Sequence, residues 1–383
     1  PAGAGVRHLR AAGRVTTVHL VAPSPHSETT RRFDVDAFAA KCRRLGSMLT
    51  DQGHRTVLYG GGDVTESRVA EYVPLVSSAE QADWFGPFDP MTQVWNEWTG
   101  PRWDTFNARA IAAIRERSEP GDVLGCTMGL AHKPIADALP GLLAVETGIG
   151  YPGVFAPFRV YESYAWMHYL AGKVGPTDDI RFFDTVIPNS YDADEFPAGT
   201  GQGGYHLYIG RWTARKGIEI AVEATKRLGV RLLMAGPGVT HNAGRTVSGS
   251  GLTLSGDHIE HVGSATGPDR ARLMGEATAV WAPTTYLEPF GSVVTEAMTT
   301  GTPVITTDHG AFTETVRHGT TGFRCRTLAE FVQAGRDVAG LDRAAIRAYA
   351  LGRFSTAVVA PQYDRYLARL ATLRGEGWYA GCG

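Results

Sequence analysis

Apolar positions along this chain alternate between two registers: short β-branched runs, and longer stretches carrying apolar residues on one helical face. "VTTVHLVAP" at 15–23 is a β-branched run closed by a proline and predicts a buried first strand. "DVDAFAAKCRRLGSMLTDQGHRTVLYGGG" follows. Its apolar positions Phe38, Leu45, Met48 and Leu49 predict a helix, Gly53 a stop, and the run to Tyr59 a second strand. This is a βαβ unit, and its close at Gly60, Gly61 and Gly62 lies at a strand end, where open α/β sheets place their ligands. A helix near 105–117 and strands at "DVLGCTM" and "LLAVETGIG" continue the first half.

"FFDTVIPNSYDADEFP" at 182–197 reads as a seam, because a strand end and a Pro188-Asn189 turn lead into the glycine-rich "AGTGQGGYH". Beyond it the order is strand "YHLYIG", helix "GIEIAVEATKRLG", strand "VRLLMAGPG", a Gly/Ser-rich excursion at 243–256, strand "HIEHVG", helix "PDRARLMGEA", strand "TAVWAPT", a helix over 292–300 and strand "TPVITTD". Such alternation predicts α/β architecture with parallel, doubly wound sheets: two Rossmann-like domains facing each other across a cleft. The expected bounds are 1–189 and 190–360. No short repeat period marks a solenoid.

Composition narrows the reading. The 383 residues suit two domains, each with its own core. A net charge of -2 gives the chain as a whole no electrostatic reason to bind nucleic acid or an anionic surface, although a local basic groove stays open. Cys42, Cys126, Cys325 and Cys382 are scattered, with no metal-site spacing, and read as free thiols of a reducing cytosol. The first residues lack an apolar run of signal-peptide length, and no segment reaches the ~18–20 apolar residues of a membrane span. The expectation is a cytoplasmic protein, its Pro1 start marking a trimmed N-terminus.

Candidate chemistry concentrates in "EPFGSVVTEAMTTGTPV" at 288–304. The strand-loop-helix reading puts Glu288 on a loop and Glu296 in the early turns of the next helix, where its side chain leans back toward the same mouth. Phe290, Gly291 and Ser292 sit where that helix begins; free N–H groups and the helix dipole there favour an anion such as a phosphate. Upstream, "IGRWTARKG" places Arg211 and Lys216 between a strand end and a helix start, two cations suited to a diphosphate. Taken singly, such residues are most often solvated surface charges or caps. Their shared sheet edge is what gives them weight.

In this order and spacing, "GRWTARKG", "LLMAGPG", "HVG", "EPFGSVVTEAMTTGTPV", "HGAFTETV" and "HGTTGF" resemble the retaining, nucleotide-sugar-dependent glycosyltransferases of the large group 1, or family four, type. The resemblance is dense from about 205 to 325 and implies the GT-B fold. The first domain is then the acceptor side and the second the donor side, and a C-terminal helix over 361–383 crosses back to the first domain. Arg211 and Lys216 look like the pair that neutralises the departing diphosphate, so no metal is expected. Glu288, with Pro289, Phe290 and Gly291, looks like the group holding the donor sugar's hydroxyls and distal phosphate. Glu296 is similar to the residue that takes the ribose hydroxyls. Gly210 and Ser292 fall on the same donor side, and Gly236 with "HVG", including Val262, resembles the walls of the base pocket. The implied reaction moves a hexose or related sugar from a nucleoside diphosphate sugar, with UDP or GDP expected and no further cofactor, to an unidentified acceptor. Retention is thought to proceed by attack on the face of departure, so the two-carboxylate glycosidase scheme is not assigned.

The first domain departs from the family pattern. "APSPHSETTRRFDVD" stands where relatives carry a Gly-Gly loop, and "VETGIGYPG" offers Glu146 and Gly148 where many have a histidine. Glu146 reads as an acceptor-side or sugar-side group or as a salt-bridged strand end. His168 in "AWMHY" and His132 in "GLAHKP" read as cleft residues or as structural ones. The two histidines of "HIEH" point to opposite faces of a strand, against a metal site. "YESYAWMHYLAG" at 161–172 reads as a helix lining the acceptor side or packing on the core. The aromatic stretch 83–106 reads as sugar-stacking or, by default, as core packing. The final helix pair, "FSTAVVAPQYDRYLARLATL", is expected to break at Pro361. Two rivals remain: a sugar-nucleotide-binding protein with weak or no transfer, and a sugar-nucleotide epimerase. A nicotinamide dehydrogenase lacks its G-x-G-x-x-G after the first strand.

Overall fold

The computed structural model describes residues 16–91, 97–173 and 181–373. The first sheet is built from β1 (Thr17–Val21), β2 (Arg55–Gly61), β3 (Glu71–Val76), β4 (Val123–Cys126), β5 (Leu143–Ile149), β6 (Phe158–Tyr161) and β7 (Thr185–Val186). Its order is β3-β2-β1-β4-β5-β6-β7, and every pairing is parallel. The inner strands are buried on both faces because helices cover both: α1 (Ala37–Asp51), α2 (Ser78–Phe85), α3 (Pro101–Arg115), α4 (Lys133–Ala138) and α5 (Tyr164–Lys173).

The second domain repeats the plan. Its strands β8 (His206–Ile209), β9 (Leu232–Ala235), β13 (Ile259–His261), β14 (Val280–Ala282), β15 (Val304–Thr307) and β16 (Gly322–Cys325) form the sheet β13-β9-β8-β14-β15-β16, again parallel throughout. The helices α6 (Ile218–Leu228), α7 (Gly267–Glu276), α8 (Ser292–Thr299), α9 (Phe312–Thr315), α10 (Leu328–Asp337) and α11 (Arg343–Phe354) connect and cover it. α6 shows why sequence pattern becomes packing here: Ile218, Ala221, Val222, Ala224 and Thr225 form one buried face. Both sheets reverse direction of growth beside their first strand, so each has its switch point, and its ligand crevice, between the first and fourth strands.

Two expectations change. The Gly/Ser-rich excursion is a small antiparallel sheet, β10 (His241–Asn242), β11 (Thr246–Gly249) and β12 (Leu252–Ser255), turning at Ser250-Gly251. The returning helix α12 (Thr356–Ala371) starts at Thr356 and keeps Pro361 inside it. Its residues Val359, Ala360, Tyr363, Tyr366, Leu367 and Leu370 are buried with Val18, Leu20, Leu45 and Met48 in the core of the first domain. The chain therefore crosses between domains twice at one place, where the Tyr191 N–H donates to the Phe354 carbonyl at 2.8 Å and the Thr356 N–H to the Tyr191 carbonyl at 3.1 Å. The end of the expected crossing segment, 374–383, lies outside the described residues, as do Pro1, Cys382 and residues 92–96 of the aromatic stretch. In the rest of that stretch, Trp103 and Phe106 pack into the first-domain core. Among the described residues no helix is long and apolar enough to cross a membrane.

Candidate active site at the domain cleft

The switch point of the second sheet lies between β8 and β14, and the loops leaving those two strands carry the charged residues singled out above. Gly210, Arg211 and a short 3-10 turn, Ala214–Lys216, follow β8; Tyr286 to Gly291 follow β14. Gly217, at φ +72°, lets the loops close on each other, because a Cβ there would collide with the Pro283 carbonyl. A hydrogen bond from the Thr285 N–H to the Arg215 carbonyl, 2.9 Å, ties them together.

This closure sets the central contact. Lys216 Nζ donates to Glu288 Oε2 at 3.0 Å, and the Tyr286 hydroxyl donates to the same oxygen at 2.5 Å. Burial and the adjacent Glu288 charge raise the Tyr286 phenol far above its usual range, so it stays a donor. The Arg215 guanidinium lies 4.2 Å from the centre of the Tyr286 ring. Arg211 is exposed and makes no ion pair among the described residues.

Gly291 enters α8 at φ +80°, and a Cβ would strike the Phe312 ring, so the turn that aims the N-terminus of α8 at the cleft requires glycine. Glu296, buried within α8, accepts from Arg270 Nε at 2.8 Å and lies 2.6 Å from Arg270 Nη2. Arg270 comes from α7, so its guanidinium pins the carboxylate across a helix-helix contact.

Gly210, Arg211, Lys216, Gly236, Glu288, Pro289, Phe290, Gly291, Ser292, Glu296 and Gly148 all line one cavity of about 390 Å³ between the domains. The volume is within the ~300–1,000 Å³ range of small-molecule sites. Val262 does not line it; it is 41% exposed at the end of β13.

Glu146 and His168 do not line the cavity, and for Glu146 the salt-bridged reading holds, with Arg159 Nε 3.8 Å from its Oε2. Glu146, in β5, is fully buried, and its Oε2 accepts from the N–H groups of Phe155 and Ala156, each at 2.9 Å. Burial pushes its carboxyl up to about 7, against those hydrogen bonds and the Arg159 charge. It anchors the 151–156 loop. His168 is exposed on α5, stacked obliquely near Tyr164, and does not line the cavity. His132 is fully buried, accepts from the Thr127 N–H at 3.2 Å, and is held down to about 3 by desolvation. The first-domain wall instead presents Lys41 and Glu162, a close ion pair that sequence reasoning missed, along with Arg270 and Tyr286 on the other wall. Arg270 and Lys41 sit in helices that read as ordinary amphipathic surfaces. Tyr286 stands next to the motif and was the one with a local signal.

Domain contacts flank the cavity. The Ser163 hydroxyl donates to the Pro289 carbonyl at 2.6 Å, and Glu314 of α9 caps the start of α5 through the N–H groups of Tyr164 and Ala165. Arg43 and Arg44 of α1 donate to Glu195 at 2.9 and 3.0 Å, and although burial opposes it, the Arg44 and Arg43 charges hold that carboxyl down to about 2. Among the described residues, no three His, Cys, Asp or Glu side chains gather as a metal site would require.

Two parallel sheets of this order, facing across a cleft and joined by a returning C-terminal helix, define a GT-B fold. Anabaena HepE, solved in complex with UDP-glucose, superimposes with a TM-score of 0.63 at 15% identity, over 92% of this chain and 100% of that one. Residues 196–330, within the second domain, match the family model for glycosyl transferases group 1. Glycogen synthase from Mycobacterium tuberculosis is 34% identical over 177 residues, 43% of this chain and 39% of the synthase. Phosphatidyl-myo-inositol mannosyltransferase from Mycobacterium leprae is 30% identical over 234 residues, 54% of this chain and 61% of that enzyme. The chain thus spans less than two thirds of the length of these curated relatives.

Proposed function

We propose that this protein is a retaining glycosyltransferase that takes a hexose or related sugar from a nucleoside diphosphate sugar and needs no metal ion. The observation that carries the proposal is the convergence of Arg211, Lys216 and Glu288 on one interdomain cavity at the switch point of the second sheet. Breaking a glycosyl phosphate bond builds positive charge on the sugar and negative charge on the diphosphate. Fixed cations at the diphosphate therefore favour the transition state over the ground state.

In this reading the diphosphate lies between Arg211, Lys216 and the start of α8, whose Gly291 and Ser292 N–H groups face it. Glu288 takes hydroxyls of the donor sugar. Glu296, held by Arg270, takes those of the ribose. Gly210 and Gly236 leave room for the base; HepE, with its bound UDP-glucose, supports a uridine donor, and GDP is the other expectation. The acceptor oxygen bonds to the anomeric carbon on the face from which the diphosphate departs. The electron pair of the broken C–O bond leaves with the diphosphate, and the hydroxyl proton passes to it. The buried free thiols Cys42, Cys126 and Cys325 suit a reducing, cytoplasmic setting.

The test is a thermal-shift panel of UDP, GDP and ADP sugars against the wild type and Lys216→Ala, run beside an assay for released nucleotide. One donor should stabilise the wild type strongly and be consumed. Stabilisation by a nucleotide sugar that no acceptor mixture converts would favour a binding protein, and absence of any stabilisation would refute the donor site.

A further inference from the structure

We propose that the Lys41–Glu162 pair on the first-domain wall is an acceptor site for an uncharged, hydroxyl-bearing molecule of the polyol or sugar class. The inference rests on the donor reading above, and its residues lie outside the matched family segment.

Lys41 comes from α1 and Glu162 from the residue after β6, and both line the cavity that Lys216 and Glu288 line from the other side. Lys41 Nζ is 2.5 Å from Glu162 Oε1 and also donates to the Gly148 carbonyl; the two side chains are 13% and 7% exposed. The site is built for them. A Cβ on Gly148 would press on the Lys41 methylenes, and one on Gly150 would reach both carboxylate oxygens of Glu162. The two glycines of "TGIG" thus clear the space that the pair occupies.

The remaining valences specify the ligand. One Lys41 N–H is left after Gly148 and Glu162 are served, and Glu162 Oε2 accepts no hydrogen bond among the described residues. A donor and an acceptor side by side match a hydroxyl group, which accepts from Lys41 and donates to Glu162. An anion is disfavoured. Lys41 is already neutralised by Glu162, Arg43 by Asp34 and Glu195, and Arg44 by Glu195, so this wall offers a phosphate or carboxylate no unpaired cation among the described residues. A second negative charge beside Glu162 would be repelled. Phe38, whose ring lies 4.4 Å from Lys41 Nζ, lines the same wall and supplies an apolar face for the carbon side of a polyol.

The test compares neutral probes with their phosphates. Nucleotide release from UDP and GDP sugars is followed with added glycerol or myo-inositol, and separately with glycerol phosphate or inositol monophosphate, while UDP and GDP affinity is measured by calorimetry. The neutral probes should accelerate release and the phosphates should not. Glu162→Gln should cut that acceleration about tenfold or more while nucleotide affinity stays within about twofold. The double variant Lys41→Gln/Glu162→Gln, which leaves no unpaired buried charge, should lose it equally and controls for misfolding. Acceleration by the phosphates alone, full acceleration in Glu162→Gln, or a comparable loss of nucleotide affinity would each overturn the proposal. A wild type that binds nucleotide yet answers neither neutral probe overturns the acceptor site alone; one that binds no nucleotide overturns the donor reading, and the acceptor site with it.

Discussion

Lys216 Nζ lies 3.0 Å from Glu288 Oε2, joining the loops that leave β8 and β14 across the switch point of the second sheet. The pair is only partly buried, so it contributes little to stability once solvent screening is counted. A cation placed where leaving-group charge develops is worth far more to the reaction. Lys216→Ala should lower the turnover number about 100-fold or more and shift unfolding free energy by only ~1 kcal/mol. Steady-state kinetics beside denaturant unfolding checks both numbers, and full activity in the variant would remove Lys216 from the mechanism.

Arg270 makes a second kind of contact: it holds Glu296 in place without being part of the motif that contains it. Arg270→Met leaves Glu296 free to swing and should weaken UDP or GDP binding about tenfold in calorimetry, with a smaller effect on the turnover number. Unchanged affinity would mean that Glu296 needs no such pin.

Much of this arrangement was legible because its determinants are local. Leu207 and Ile209, then Ile218, Ala221 and Val222, mark β8 and α6 by period alone, and the loops between strands and helices carry their glycines and charges within a few residues. The β10–β12 sheet was missed because its strands are two to four residues long and fully bury only Val247 and Gly249, so the alternation in "TVSG" and "LTLS" is too short to read. Pro361 misled for a different reason. Its neighbours Val359, Ala360 and Tyr363 are buried against the first domain, and that packing keeps α12 continuous through the proline. Lys41 and Glu162 were invisible because they are 121 residues apart and meet only when β6, whose "FRVY" is short and carries an arginine, takes its place in the sheet.

Gly291→Ala tests the turn into α8. With φ at +80° and the Phe312 ring in the way, the added methyl should cost ~2 kcal/mol or more and displace the start of the helix. Thermal unfolding should show the loss, and nucleotide affinity should fall with it. A variant as stable as the wild type would mean that the loop relaxes without strain.

Glu146 gives a pH dependence with a definite sign. Its buried carboxyl is raised to about 7 from the ordinary value of 4.5, so the fold favours the protonated form. That contribution is complete below about pH 4.5 and is lost as pH rises through about 7, amounting to ~3 kcal/mol at most. Glu146→Gln abolishes the titration, so the variant should gain on the wild type between pH 5 and pH 8 in denaturant unfolding. Parallel pH profiles would show that Glu146 ionises in the folded protein as it does in the unfolded chain.

Transfer from a nucleoside diphosphate sugar driven by protein cations can be followed as nucleotide release from UDP and GDP sugars in the presence of a chelator, with and without added magnesium or manganese. Turnover of one donor should persist in chelator and fall about 100-fold in Lys216→Ala. Turnover that vanishes in chelator and returns only with the metal would contradict it.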